Sequence, residues 1–569
     1  MSSLRSARWF EAATRMGHTH RQRIMQGGFA RADFAGKPVV AILSTWSDLN
    51  PCHGHFRERA DDVKRGVWEA GGFPVEIPVM ALGEPFVKPT AMLYRSLLAI
   101  QTEESLRCHP VDGAVLMGGC DKTTPGLILG AISMNLPAIF LPAGPMLTGR
   151  WRNQALGSGT DTAKAFMDWK AGVLPDAEFR EMEEAGARSP GHCMTMGTAS
   201  TMTALAETMG LTLPGASSIP APDSRHRHMA VATGRRAVEM IAADLRPRAV
   251  LSDASFHNAI VALMALGGST NAVIHLVAMA RRLGLALPLD RFDSLSRRVP
   301  VLADLRPSGR YLMEDFFEAG GLRGLLSRLG DLLDGGARTV SGRTLAEDIA
   351  GAKVWSDEVI RTRADPIKAT GGLAILRGNL APDGAVLKSS AATPGLLRHR
   401  GRAIVFEGWA DFAARVDSAD LDVDETCVMV LRNCGPRGTP GMPEWGMMQV
   451  PKKLLDRGVR DIVRVSDARM SGTHFGTVVL HVAPEAALGG PLALVRDGDI
   501  IELDAEGRSL DLVVPEAELA RRKAAWRPQS SRHGRGWAKL YADHVEQADR
   551  GADLDVLGPT GESPEPEIN

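Results

Sequence analysis

A surplus of charge is the first thing missing: 66 basic side chains face 67 acidic ones, a net charge of −1. Such a balance gives no electrostatic reason to expect nucleic acid or an anionic membrane as partner. Dense basic runs are also lacking, since the arginine-rich stretch from Arg225 to Arg236 is interrupted and reads as a solvated helix face. The longest apolar stretch, Leu136 to Leu147, is broken by prolines and a glycine and is too short to span a bilayer. The N-terminal residues carry arginines but no apolar segment or cleavage site, so export is not expected. Cysteine is scarce, with six in 569 residues. That excludes a disulfide scaffold and fits a reducing compartment where thiols stay free for metal or catalysis. The expectations are a cytoplasmic protein and a small-molecule partner.

At this length one core cannot serve the whole chain, so at least two domains are expected. The first part alternates strands and helices. The run after Lys37 (PVVAILST) reads as a strand, followed by a helix with Phe56, Ala60, Val63 and Val67 on one face. A strand from Phe73, a helix from about Pro89 to Cys108, a strand from Val111, a helix after Pro125 and a strand from Pro137 follow. That order predicts a largely parallel sheet covered on both faces, with its chemistry in the loops at the strand C-termini. The stretches Gly197–Leu211, Gly234–Asp244 and Ser269–Gly284 read as buried helices.

After about residue 370 short strands with turn signals take over, among them GGLAILRG, GRAIVFEG, ETCVMVLRN, DIVRVSD, GTVVLHV, LALVRDGD and IIELDAEGRSLDLVV. The segments beginning at Val495 and Asp504 read as hairpin turns. The predicted class is therefore α/β: residues 1–370 form a parallel-sheet α/β domain, and residues 371–569 a β-barrel-like domain with inserted helices. The polar end of the chain, GPTGESPEPEIN, reads as a mobile tail.

Three cysteines lie in Gly/Pro/polar loops: Cys52 in NPCHGH, Cys120 in GGCDKTTPG and Cys193 in GHCMTMGTAS. The first two directly follow strands, which would gather thiols at one sheet edge. The other three differ: Cys108 on a helix, Cys427 inside an apolar strand, Cys434 in a Gly-rich loop. Any one cysteine reads equally well as a small buried hydrophobe, and these spacings match no zinc pattern. Spacing alone leaves the matter open.

The words around the cysteines say more. GGCDKTTPG, GHCMTMGTAS, GGSTNAVIHL, NCGPRGTPGMPEWG and SDARMSGTHFG together resemble the dihydroxy-acid and sugar-acid dehydratases, in order from about residue 36 to about residue 490. Within that family, GEPFVKPTAMLYRSLL and the last two motifs look most like the L-arabinonate (pentonate) branch. The resemblance implies that Cys52, Cys120 and Cys193 hold an iron–sulfur cluster, 2Fe–2S in the pentonate branch. Three thiolate ligands would leave one iron open to a substrate hydroxyl, there to act as a Lewis acid. It further implies Mg²⁺ on Glu84, Asp121 and Glu444, with Lys122 carbamylated, since an ammonium has no lone pair to give. Taken singly, Glu84 and Glu444 read as surface carboxylates and Asp121–Lys122 as a surface ion pair.

Ser471 matches the serine that takes the C2 proton as an alkoxide in the family, and Thr473 is placed to bind substrate or help reprotonate C3. A free serine hydroxyl is too weak a base at neutral pH, so Mg²⁺ and backbone donors must stabilise its anion. Branched-chain members read TDGRFSGGT where this chain reads VSDARMSGTHFG, a difference that bears on the substrate pocket. The implied reaction is dehydration of a sugar acid to its 2-keto-3-deoxy acid by a homodimer or homotetramer. Two other readings stand beside it: the same chemistry on branched-chain 2,3-dihydroxy acids, and a non-catalytic iron–sulfur protein. His53 and His55 read as groups that orient the Cys52 loop or bind substrate, and His275 as a satisfied core histidine. Met194, Met196, Met202 and Met209 read as packing. The GGST and GLILG glycines match no phosphate-binding fingerprint.

Overall fold

The apolar run after Lys37 becomes strand β1 (Val39–Ser44), buried at every position in a computed structural model that describes residues 4–528, 533–559 and 564–568. It lies between β2 (Phe73–Pro78) and β3 (Gly113–Gly118), and β4 (Ala138–Pro142) completes the order β2-β1-β3-β4. All three pairings are parallel. The connections are helices Phe56–Glu69, Arg95–Cys108 and Thr123–Met134, as right-handed crossovers between parallel strands require. Phe56, Ala60, Val63 and Val67 are all fully buried, so the 3.6-residue periodicity picked the correct face. Helices Thr198–Thr208, Asp253–Ala265 and Asn271–Arg282, buried on nearly every side, join this sheet in one continuous core. The four methionines read as packing, Met194 to Met209, are buried. Arg225 and Arg227 lie on the exposed face of helix Ser224–Ala242.

A small hairpin, β5 (Gly149–Trp151) with β6 (Gln154–Leu156), and two helices, Thr160–Lys170 and Asp176–Gly186, follow the first sheet; the sequence reading had not resolved them. The second sheet comprises β7 (Ala374–Leu376), β8 (Gly384–Leu387), β9 (Arg398–Phe406), β10 (Val428–Leu431), β11 (Val463–Ser466), β12 (Val478–Ala483), β13 (Ile500–Asp504) and β14 (Ser509–Val513). Their order is β14-β13-β9-β10-β11-β12-β8-β7, with β9 to β12 parallel and the outer pairs antiparallel. Arg377 N donates to Arg508 O at 3.0 Å and Leu510 N to Arg377 O at 2.8 Å, joining the two ends of the sheet. Joining them removes the exposed edges and gives the barrel-like form.

Three local readings change. LALVRDGD is not a strand: Pro491–Leu494 form a 3₁₀ turn. The turn at Val495 leads into β13, whose partners are β9 and β14 rather than β12, so only the Asp504 turn closes a hairpin. The polar tail read as mobile is in part docked. Glu565 pairs with Arg5 and Arg8, at 2.9 and 3.0 Å, and Ile568 packs on the core, whereas 560–563 and 569 lie outside the described residues. Before that tail the chain returns to the first sheet's helices. Asp553 bonds Ser96 Oγ at 2.8 Å and Arg282 Nε at 2.8 Å, and Arg95 donates to the carbonyls of Gly551 and Ala552. Among the described residues no helix is long and apolar enough to cross a membrane.

Candidate functional site

Strand order explains why distant motifs meet. β1 and β3 are parallel neighbours, so the loops leaving their C-terminal ends carry Cys52 and Cys120 to one edge of the sheet. His53 ties them: Cys120 N donates to His53 Nε2 at 3.0 Å, which leaves Nδ1 to carry the proton toward Thr45 O, also 3.0 Å away. Burial holds this imidazole neutral, pushing it down to about 3. Both nitrogens are thereby committed, and His53 acts as the loop-orienting group of the two roles expected for it. His55 likewise bonds the chain, Nε2 to Ala143 O at 2.9 Å. Just beyond β4, Pro145 pairs in parallel with His192, which brings Cys193 to the same edge.

The three thiols form one electrostatic group. Cys120 lies within hydrogen-bonding reach of Cys52 and, with burial and the neighbouring Cys193 and Asp121, raises the Cys52 thiol well above its ordinary value. Burial, with Asp121 and Cys120 nearby and Ser158 opposing, pushes the Cys193 thiol up to about 12. Sulfurs gathered this closely, with little water, suit a bound cation, which makes adjacent thiolates tolerable. Cys108 is exposed, while Cys427 and Cys434 are buried in the second core, Cys427 one residue before β10 rather than within it.

A second group stands beside them. Lys122 is fully buried, its Nζ 3.2 Å from Glu84 Oε2, 3.4 Å from Asp121 Oδ2 and 3.7 Å from Glu444 Oε1. Burial opposes its charge, but Glu84, Asp121 and Glu444 outweigh that and raise it. Burial raises Glu444 to about 7, with Glu84 adding to the effect and Lys122 and Arg469 opposing it. Glu84 goes the other way: burial resists its ionisation, but Lys122, Arg469 and the Thr90 hydroxyl lower it. These donors suit a hard divalent cation, yet the ammonium itself fills their centre. Among the described residues no group of three or more His, Cys, Asp or Glu stands arranged to hold a metal ion. The set fits Mg²⁺ only once Lys122 has lost its positive charge.

Glu444 follows β10 and Ser471 follows β11, parallel neighbours whose C-terminal ends face the first sheet's loops. Two residues the sequence reading did not assign join the halves. Fully buried Arg469 donates to Glu444 Oε1 at 3.0 Å, Thr90 Oγ1 at 2.9 Å and Met442 O at 2.7 Å. Asn271 Nδ2 lies 3.0 Å from Glu444 Oε1, 3.0 Å from Thr198 Oγ1 and 3.1 Å from Met470 O. Their signals were present, an arginine inside SDARMSG and an asparagine inside GGSTNAV, but a sequence cannot show which carboxylate each would meet. The Asn271 Oδ1 is buried without a partner among the described residues, an acceptor available to a substrate hydroxyl. His275 accepts from Arg95 Nη1 at 3.1 Å, but among the described residues its Nε2 has no partner, so it is only half satisfied.

Ser471 Oγ lies 3.0 Å from Thr473 Oγ1 and 3.4 Å from Thr473 N. Between them Gly472 presses on the first half: a Cβ there would lie 2.6 Å from Thr198 N and 2.8 Å from Gly197 C. Gly472→Ala is therefore expected to cost about 1–3 kcal/mol by forcing backbone apart, seen as a lower urea midpoint with unchanged slope. An unchanged midpoint would mean that the two halves are less tightly joined here.

Comparison with known proteins shows the family. The N-terminal and C-terminal models of the dihydroxy-acid/6-phosphogluconate dehydratase family match residues 37–348 and 358–552. The chain is 51% identical to the 6-deoxy-6-sulfo-D-gluconate dehydratase of Pseudomonas putida, over 100% of this chain and 99% of that one. It is 51% identical to the L-arabinonate dehydratase of Rhizobium leguminosarum bv. trifolii, over 97% and 96% of the two chains. With the L-arabonate dehydratase of Azospirillum brasilense it shares 49% identity over 97% of each. The chain belongs to the dihydroxy-acid/6-phosphogluconate dehydratase family.

Proposed function

We propose that this family member is a sugar-acid dehydratase, a hydro-lyase that converts an aldonate to its 2-keto-3-deoxy acid. The observation that carries the reading is the convergence of three thiols, a buried Lys122–carboxylate cluster and the Ser471 loop between two sheets. Relatives at 49–51% identity named for sugar-acid substrates support the substrate class. Cys52, Cys120 and Cys193 would hold a 2Fe–2S cluster, and Glu84, Asp121, carbamylated Lys122 and Glu444 would hold Mg²⁺. When bound, these groups supply Lewis acidity toward the substrate's oxygens.

The chain's own residues do the rest. Ser471 Oγ, as alkoxide, takes the C2 proton, and the electrons of that C–H bond become the C2–C3 double bond as the C3–O bond breaks. Hydroxide leaves as water with the proton that Ser471 has taken, which restores the alkoxide. Thr473 Oγ1, 3.0 Å from Ser471 Oγ, is placed to pass that proton onward. The enol then becomes the ketone as its C2 hydroxyl gives up a proton and C3 gains one. Arg469 fixes Glu444, and Asn271 Oδ1 offers an acceptor to a substrate hydroxyl. A division near residue 370, a cytoplasmic setting and a homodimer or homotetramer complete the proposal.

The test is 2-keto-acid formation by anaerobically purified enzyme across L-arabinonate, D-xylonate, D-gluconate, 6-deoxy-6-sulfo-D-gluconate and 2,3-dihydroxy-3-methylbutanoate. At least one sugar acid should be the preferred substrate. EDTA should abolish turnover while the visible absorbance stays, and Mg²⁺ should restore it. Preference for the methyl-branched acid, or no product from any aldonate, would overturn the proposal.

A further inference from the structure

One buried cation near the site has no role yet. Lys388 directly follows β8, is fully buried, and donates from Nζ to the Gly472 carbonyl at 3.2 Å. That carbonyl belongs to the same peptide unit as the Thr473 N–H, which in turn donates to Ser471 Oγ at 3.4 Å. The order is thus lysine donor, peptide carbonyl, peptide N–H, serine oxygen. Hydrogen bonds in such a chain polarise one another, most strongly where water is excluded. Drawing electron density toward the Gly472 oxygen makes the Thr473 N–H a better donor, and a better donor favours a negative charge on Ser471 Oγ.

We propose that Lys388 is a positioning residue for the dehydration, stabilising the ionised Ser471 through the Gly472–Thr473 peptide. This rests on the reading of Ser471 as base.

The surroundings favour that role over a structural ion pair. Among the described residues no acidic side chain pairs with Lys388, and burial alone pushes its ammonium down to about 7. Neighbouring charges are engaged elsewhere. Lys368 donates to Ser389 Oγ at 2.7 Å, and Arg464 pairs with Asp461 at 2.6 Å. His481 on β12 is held neutral by burial and by Arg469. A buried cation without a carboxylate is costly to keep, whereas an anion forming on Ser471 would give it a partner during turnover.

The experiment compares holoenzymes carrying Lys388→Met, Lys388→Gln and Ser471→Ala, each checked for cluster absorbance and unfolding midpoint. Lys388→Met should lower kcat roughly 10- to 100-fold, with KM within about twofold. The acid limb of log kcat against pH should move to higher pH, because the serine ionises less readily once a nearby positive charge is gone. Lys388→Gln, which keeps a donor without the charge, should fall between. Adding Lys388→Met to Ser471→Ala should cause no further loss. An inactive Ser471→Ala beside a Lys388→Met with normal kcat and limb would overturn the Lys388 proposal and leave the base reading standing. A uniform loss at every pH, or loss of fold in both lysine variants, would also overturn it by making the lysine structural. An active Ser471→Ala would instead remove the base reading.

Discussion

Ser471→Ala should lower kcat by at least roughly 10²-fold, about 3 kcal/mol, the usual scale for a proton-transfer group. The substitution removes one oxygen from a half-buried loop whose backbone is held independently: Thr160 Oγ1 donates to Thr473 O at 2.6 Å, and Lys388 to Gly472 O. The residues proposed to hold Mg²⁺ and the three thiols lie on other segments, so cluster absorbance and Mg²⁺ dependence should survive. KM should change little, as for an interaction made mainly in the transition state. Exchange of the C2 proton with solvent should vanish together with turnover. Persistent exchange with lost dehydration would move Ser471 to the leaving-group step and make Thr473 the next candidate for base. Ser471→Cys is expected to keep only a trace of activity, because a thiolate forms more readily but is the weaker base.

The other large effect concerns the thiols. The isolated protein should be brown, with about two irons per chain. Cys52→Ser, Cys120→Ser and Cys193→Ser should each bleach it and abolish turnover. A hard hydroxyl is a poor substitute for a thiolate on iron, and three ligands leave none to spare. Cys108→Ser, Cys427→Ser and Cys434→Ser should keep the colour, since Cys108 is exposed on a helix and the other two lie in the second core. The contrast between the two trios separates cluster loss from a general sensitivity to losing a thiol. A colourless wild type that carries zinc would contradict the assignment.

Strands and crossover helices were legible because burial imposes a period that composition displays. Helix Phe56–Glu69 and six of the seven predicted second-sheet segments show it. LALV failed because an apolar run four residues long has no period, and Pro491 at its head favours a tight turn. Helices Thr160–Lys170 and Asp176–Gly186 escaped because few of their residues are buried, so they carry little hydrophobic pattern. The nine residues proposed for the site were named through motif words, and the fold supplies the reason they come together: each lies in a loop beyond a strand of one sheet or the other. Arg469, Asn271 and Lys388 were not found, because a buried polar side chain is identified by the partner it meets, and sequence hides the partner.

The return of the chain's end to its beginning bears on how the protein is made. Arg95 and Arg282 are buried in the first half, and their counter-ion, Asp553, comes 271 residues after Arg282. Burial resists ionisation of Asp553, but Arg282 and Arg95 hold it down to about 2, so the three charges form one unit. At about 5–20 residues per second, the ribosome exposes Arg95 long before Asp553 is synthesised. The first sheet's helices must therefore wait with two uncompensated cations beneath the place where the end of the chain will lie. Closure of the N-terminal half thus comes late in synthesis, and a nascent chain that stops short of Asp553 offers quality control an unfinished core.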